Sequence, residues 1–189
     1  MADLPAWQPV EQADAQALSS SHSGRIVAVV AAQSAVNEGW AADAAVGLAR
    51  SWSRSGLRLI LVDAGLEQPS LHGALGLPNR EGLSDAALYG ASVARVSQPV
   101  GGDFFLIGAG APVADAAAVL GSARWGRLAD GMVEAGVTVL LYVRDGEANA
   151  SAFVESASDV VVLAPEAGEL PGAVETRTDR KSTRLNSSH

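Results

Sequence analysis

Cysteine is absent from this chain of 189 residues, which excludes disulfides, thiolate metal sites and cysteine nucleophiles. Lysine is almost absent as well. Lys181 is the single one, and residues 1–178 contain none. No apolar run approaches the roughly 20 residues needed to span a bilayer. The N-terminal stretch MADLPAWQPVEQADAQALSSSHSG is acidic and polar, with neither the basic flank nor the apolar centre of a secretion signal. The expected location is therefore cytoplasmic, with any membrane association made through a partner. A net charge of −8 and the lack of a basic cluster argue against a direct grip on nucleic acid or anionic lipid.

What is present is a chain 48% hydrophobic and 18% charged, long enough for one well-buried core and too short for two generous domains. Residues 1–24, with Pro5, Pro9 and serines at 19–21, show no sustained period and are expected to form a mobile leader. Residues 25–178 are expected to form a single domain. The last eleven residues, DRKSTRLNSSH, switch abruptly to a basic, Ser/Asn-rich style. They match the in-frame translation of a common sequencing adapter, are set aside from fold reasoning, and are expected to pack against nothing. The native chain is then expected to continue past about Thr178 in another sequence, so the domain is read as truncated at that end.

Apolar strands at 26–31, 58–63, 103–107, 137–143 and 159–164 alternate with helical segments at 40–54, 69–75, 84–90, 114–135 and 147–157. Such alternation predicts parallel βαβ units. Runs such as VTVLLYV and DVVVLA are apolar without interruption, which suits strands covered on both faces. The expected fold is α/β: a doubly wound, mostly parallel sheet of about five strands in a three-layer α/β/α arrangement. The strands at 26–31, 58–63, 137–143 and 159–164 are expected side by side. Ligands in such sheets sit at the carboxyl ends of the strands, where the loop 32–40 is placed.

The run LRLILVDAGLEQPSLHGALGLPNREGLSDAALYG closely resembles the segment after the phosphate loop in the MinD/ParA-like ATPases of the P-loop NTPase superfamily. The resemblance is strongest to the bacterial tyrosine kinases of capsule and exopolysaccharide synthesis, the CpsD/CapB type; it is specific over about residues 57–90 and architectural over the rest of 25–164. There a strand ends in Asp-Ala-Asp-Leu-Arg-x-Pro and a GLxxxxGLSDxLxG stretch follows. The matching residues here are Asp63 to Pro69, Gly76 to Pro78 and Gly82 to Asp85.

The resemblance aligns the family's GEGK[ST] with Asn37, Glu38, Gly39, Trp40 and Ala41. In a working loop the backbone N–H groups cradle phosphates, the lysine reaches the outer phosphates and the hydroxyl ligates magnesium. Trp40 and Ala41 supply neither the charge nor the hydroxyl. The nearest arginine in sequence, Arg50, lies more than two helical turns on, and no cationic side chain is expected within reach of the nucleotide space. The Trp40 indole is expected near or inside it. Glu38, Gly39, Trp40, Ala41 and Asp63 thus form a degenerate nucleotide loop, and no metal site is expected.

Asp63 keeps the first aspartate of the second motif, while Gly65 and Glu67 replace the second aspartate and the arginine. It is the one catalytic candidate, and its structural alternative is a carboxylate capping the following turn. The family's third motif maps onto VLLYVRDG, placing Tyr142 where a metal-linked aspartate would stand and Asp145 three residues on. His72 reads as a surface or packing residue and Ser34 as an ordinary loop serine. Trp52 and Trp125, on helices, read as core. Trp7, between prolines, suits docking on a partner or on its own domain.

The resemblance, with these losses, implies a non-catalytic regulatory or scaffolding domain acting by protein binding, with an envelope polysaccharide copolymerase or a related ATPase as partner and no cofactor. The alternatives are a weakly nucleotide-binding ATPase or protein tyrosine kinase of the same family, using ATP and magnesium, and a partition or division-site positioning factor.

Overall fold

The computed structural model describes residues 24–175 other than residue 167, and of residue 120 the backbone alone. The expected leader up to residue 23, with Trp7, and the adapter-coded residues 179–189 lie outside the described residues.

Valine, isoleucine and leucine dominate the strands β1 (Arg25–Ala31), β2 (Leu59–Asp63) and β5 (Thr138–Arg144), whose side chains are almost all buried. With β4 (Phe104–Ile107) and β6 (Asp159–Leu163), these form the parallel part of one sheet in the order β3-β4-β2-β5-β1-β6. The four strands expected side by side are adjacent as β2-β5-β1-β6. Strand residues alternate between two cores. Val27, Val29, Leu59, Leu61, Leu140 and Tyr142 face one side, and Ala28, Val30, Ile60, Val62, Val139 and Leu141 the other.

On the first side lies α2 (Ala41–Arg54), which buries Ala41, Ala44, Ala45, Leu48, Ala49 and Trp52. Those positions recur at the helical period and make one apolar stripe. On the other lie α4 (Leu83–Leu88), α7 (Ala123–Glu134) and α8 (Ala150–Ser156). Trp52 and Trp125 are core residues at 2% and 5% exposure, as their helical positions predict. Because β1, β2, β5 and β6 run parallel, Ala31, Asp63, Arg144 and Leu163 arrive at the same edge of the sheet.

Three details depart from the sequence reading. A sixth strand, β3 (Ser97–Gly101), pairs antiparallel with β4 at the end of the sheet. Its SQPVG sequence shows no strand pattern, and Pro99 is tolerated because an edge strand needs no outward N–H. The expected helix 114–135 is two helices, α6 (Ala116–Leu120) and α7, because Ser122 caps a new N-terminus by accepting from Trp125 N. Residues 33–37, expected as loop, form the short helix α1 (Gln33–Asn37). Two further short helices are α3 (Leu71–Ala74) and α5 (Val93–Val96).

Candidate functional site

Ala32 leaves β1 at its carboxyl end, and the chain winds straight into α1. Val36 N donates to Ala32 O at 3.1 Å, Glu38 N to Ser34 O at 3.0 Å and Gly39 N to Val36 O at 3.1 Å. Groups that would face a phosphate in an open loop are spent on the loop's own carbonyls. Gly39, at φ +82°, makes the left-handed turn that only glycine takes without strain. It delivers Trp40 to the position before α2. The Trp40 indole packs half-buried against the α2-side core, and its Nε1 donates to Glu38 Oε2 at 2.8 Å. Ala41 is buried as the first residue of α2.

Asp63 ends β2 with no exposed surface. Its Oδ1 accepts from Gly65 N at 3.1 Å, and its Oδ2 accepts from Ser70 N and Leu71 N, each at 2.9 Å. The carboxylate therefore closes the β2–α3 turn, the structural alternative weighed for it above. Burial raises its pKa, and the three backbone donors and the neighbouring His72 pull the other way. His72 itself has Nδ1 buried without a partner, and no proton relay from Asp63 runs through it.

Across the sheet, Asp63 pairs in register with Tyr142 on β5. The Tyr142 side chain is 1% exposed, and burial pushes its phenol to about 12. Asp145, the weak substitute for an aspartate there, is committed elsewhere: its carboxylate accepts from Gly172 N and Ala173 N, each at 3.2 Å. That caps the last described turn, whose Ala173 and Val174 are buried. The same segment reaches the loop, where Ser34 Oγ donates to Glu169 Oε1 at 2.6 Å. No sequence pattern links residues 135 positions apart, so this contact was invisible beforehand.

A cation does come to the carboxyl ends of these strands, beside the Asp63 turn. Arg144 ends β5, and its Nη1 donates to Gln68 O at 2.9 Å and to Gln68 Oε1 at 3.2 Å. Its side chain crosses Gly65: a Cβ there would stand 3.1 Å from Asp63 Oδ1, 3.3 Å from Arg144 Cδ and 3.4 Å from Glu147 Oε1. Arg50 was counted because it is near the loop in sequence. Arg144 is near the motif only through strand pairing.

Glu147 is half-buried, and its Oε1 is a buried atom without a hydrogen-bond partner. Burial raises its carboxyl to about 7, opposed by Arg144 and reinforced by Glu67 and Asp63. The unfolded chain ionises this group near the ordinary 4.5, before the folded chain does. The favourable contribution is therefore whole below that value and is lost as pH rises toward 7. Glu147→Gln should stabilise the protein by about 1 kcal/mol at pH 8, a figure discounted for solvent screening of a half-exposed group, and by nothing at pH 4. Urea unfolding of both proteins at the two pH values checks this.

The EGLSD stretch that carries much of the resemblance is a clasp. Asp85 Oδ2 accepts from Gly82 N at 2.8 Å and Ala111 N at 3.1 Å, and Ser84 Oγ donates to Ala111 O at 2.8 Å. Leu83 N and Ser84 N donate to Gly108 O and Ala109 O at 2.8 and 3.0 Å. The start of α4 is thereby locked to the loop leaving β4.

No sequence-family profile and no curated protein matches the chain, whereas solved structures do. The chimerical protein CapA2B2 superposes with a TM-score of 0.69 at 16% identity, over 93% of this chain and 77% of that one. The kinase domain of the Escherichia coli tyrosine kinase Etk gives 0.69 at 17% identity, over 85% of this chain and 63% of that one. This chain thus spans under two thirds of the Etk domain. The Pyrococcus furiosus cell division ATPase MinD gives 0.63 at 16% identity, over 85% and 68%. At these identities the likeness is one of architecture: the chain carries the P-loop NTPase-like fold shared by MinD and bacterial tyrosine kinase domains.

Proposed function

We propose that this chain is a non-catalytic regulatory or scaffolding domain, built on the fold of exopolysaccharide-type tyrosine kinases and acting by protein binding. The observation that carries this is the loop itself. Its amides bond to its own carbonyls, and Trp40, hydrogen-bonded to Glu38, stands where the resemblance puts the lysine. A magnesium nucleotide does not fit the donor set. Both Asp63 oxygens are taken by backbone N–H groups, Ala41 offers no hydroxyl, and Glu38 adds a negative charge where phosphates would come. The domain's partner, on this view, is an envelope polysaccharide copolymerase or a related ATPase. Among the described residues no helix is long and apolar enough to cross a membrane, so attachment to an envelope system falls to that partner.

The test is titration with ATP and magnesium, followed by calorimetry and tryptophan fluorescence. Wild type should show no saturable binding tighter than about 1 mM. Trp40→Lys combined with Ala41→Thr should bring measurable affinity by restoring the charge and the hydroxyl. A micromolar dissociation constant for wild type, or turnover lost in Asp63→Asn, would promote the ATPase or kinase alternative.

A further inference from the structure

The second acidic motif of the resemblance has lost an aspartate at Gly65 and its arginine at Glu67, yet this edge of the sheet still gathers Asp63, Glu67 and Glu147. Like charges gathered at a partly buried edge repel one another strongly unless a cation stands among them. In a nucleotide-binding protein a metal ion supplies part of that charge. Here the donor set does not fit one, and Arg144 lies beside the group: its guanidinium is bonded to Gln68 rather than ion-paired with a carboxylate, and its charge opposes the rise in the Glu147 pKa.

We propose that Arg144 is a built-in counter-cation that takes over this charge compensation, holding the β2–α3 turn and the β5–α8 turn together in the absence of any soluble ion. Three observations converge on it. Its guanidinium is anchored on Gln68, inside the β2–α3 turn, while its backbone belongs to β5. The side chain passes over Gly65 with its Cδ 3.3 Å from the position a Cβ would take, so glycine makes room for its stem. An aspartate at that position would press on the Arg144 stem, which would have to shift by a few tenths of an ångström, and would add a charge beside Asp63. Glu147 Oε1 converges on the same point from the β5–α8 turn. The residues at 65 and 144 are thus neighbours in space, and the small side chain at one leaves room for the stem of the other. Arg144 is a positioning residue here and touches no reacting group.

This inference rests on the reading that the site has no use for a magnesium nucleotide, but its test is run without nucleotide, so the two fail separately. Thermal unfolding is compared for wild type, Arg144→Gln, Arg144→Lys, Glu147→Gln and the double variant Arg144→Gln with Glu147→Gln, each in EDTA and in excess magnesium. Arg144→Gln should lower the midpoint by several degrees, and Arg144→Lys should keep at least half of that difference. The loss caused by Arg144→Gln should be less than half as large in the Glu147→Gln background as in wild type, because removing a carboxylate relieves the repulsion that the missing cation left behind. Wild type should melt alike in EDTA and magnesium. The proposal is overturned if Arg144→Gln melts like wild type, or if its loss persists undiminished in the double variant, which would assign Arg144 to packing and the Gln68 bond alone. It is equally overturned if magnesium stabilises wild type.

Discussion

Asp63→Ala should lower the unfolding free energy by about 3–5 kcal/mol, measured by urea denaturation at neutral pH. The substitution removes the acceptor of three backbone N–H groups, those of Gly65, Ser70 and Leu71. Each orphaned buried donor costs about 1–3 kcal/mol. The total falls short of the sum because burying the carboxylate is itself costly, which is why its pKa is raised. Asp63→Asn should lose about half as much: the amide oxygen keeps some of the donors, while its NH2 meets another. An aspartate retained for phosphoryl chemistry would behave differently. Its isosteric amide would cost activity with little change in stability, so the ratio of the two effects separates the roles. No loss of stability in Asp63→Ala would remove the capping account.

Gly82→Ala should be nearly as damaging, at about 3 kcal/mol. The backbone of Gly82 is extended, at φ −151° and ψ −143°, so an added methyl meets no local strain. It meets backbone. A Cβ would stand 2.1 Å from Gly108 O and 2.6 Å from both Gly108 C and Gly110 N. None of these is the tip of a flexible side chain, so the whole clasp between α4 and the loop after β4 must shift. Gly47→Ala is the control. It lies within α2 with nothing within 4 Å of an added Cβ, and the gain in helix propensity should stabilise by about 0.5–1 kcal/mol. Unfolding curves that show equal effects at the two glycines would contradict the steric argument.

Legibility of the fold varied with the length of the signal. The buried strands β1, β2, β5 and β6 were plain in sequence because an unbroken apolar run flanked by helical periods has few other uses. Strand β3 was not, because SQPVG is polar and proline-bearing and acquires its strand form only by lying against β4. The break between α6 and α7 turns on Ser122, whose hydroxyl also donates to Ala87 O at 2.7 Å. A serine within an apolar, alanine-rich stretch announces neither contact. Helix α1 was hidden for another reason: alignment to a phosphate loop predicts open backbone, but here the amides of Val36, Glu38 and Gly39 bond to carbonyls three or four residues back, as in a helical turn.

The sequence alone determined the doubly wound architecture, the place of residues 33–41 at the strand ends, and the loss of lysine and hydroxyl at Trp40 and Ala41. These follow from local periodicity and from residue chemistry that no folding can alter. Only the tertiary structure decided what became of the charges. Asp63 is spent on the amides of Gly65, Ser70 and Leu71, two, seven and eight positions away, and Asp145 on a turn 27 and 28 residues later. Arg144 reaches Gln68 across 76 residues. The reason is geometric: parallel strands bring to one edge residues that a crossover helix separates in the chain, and electrostatic interaction depends on distance in space alone.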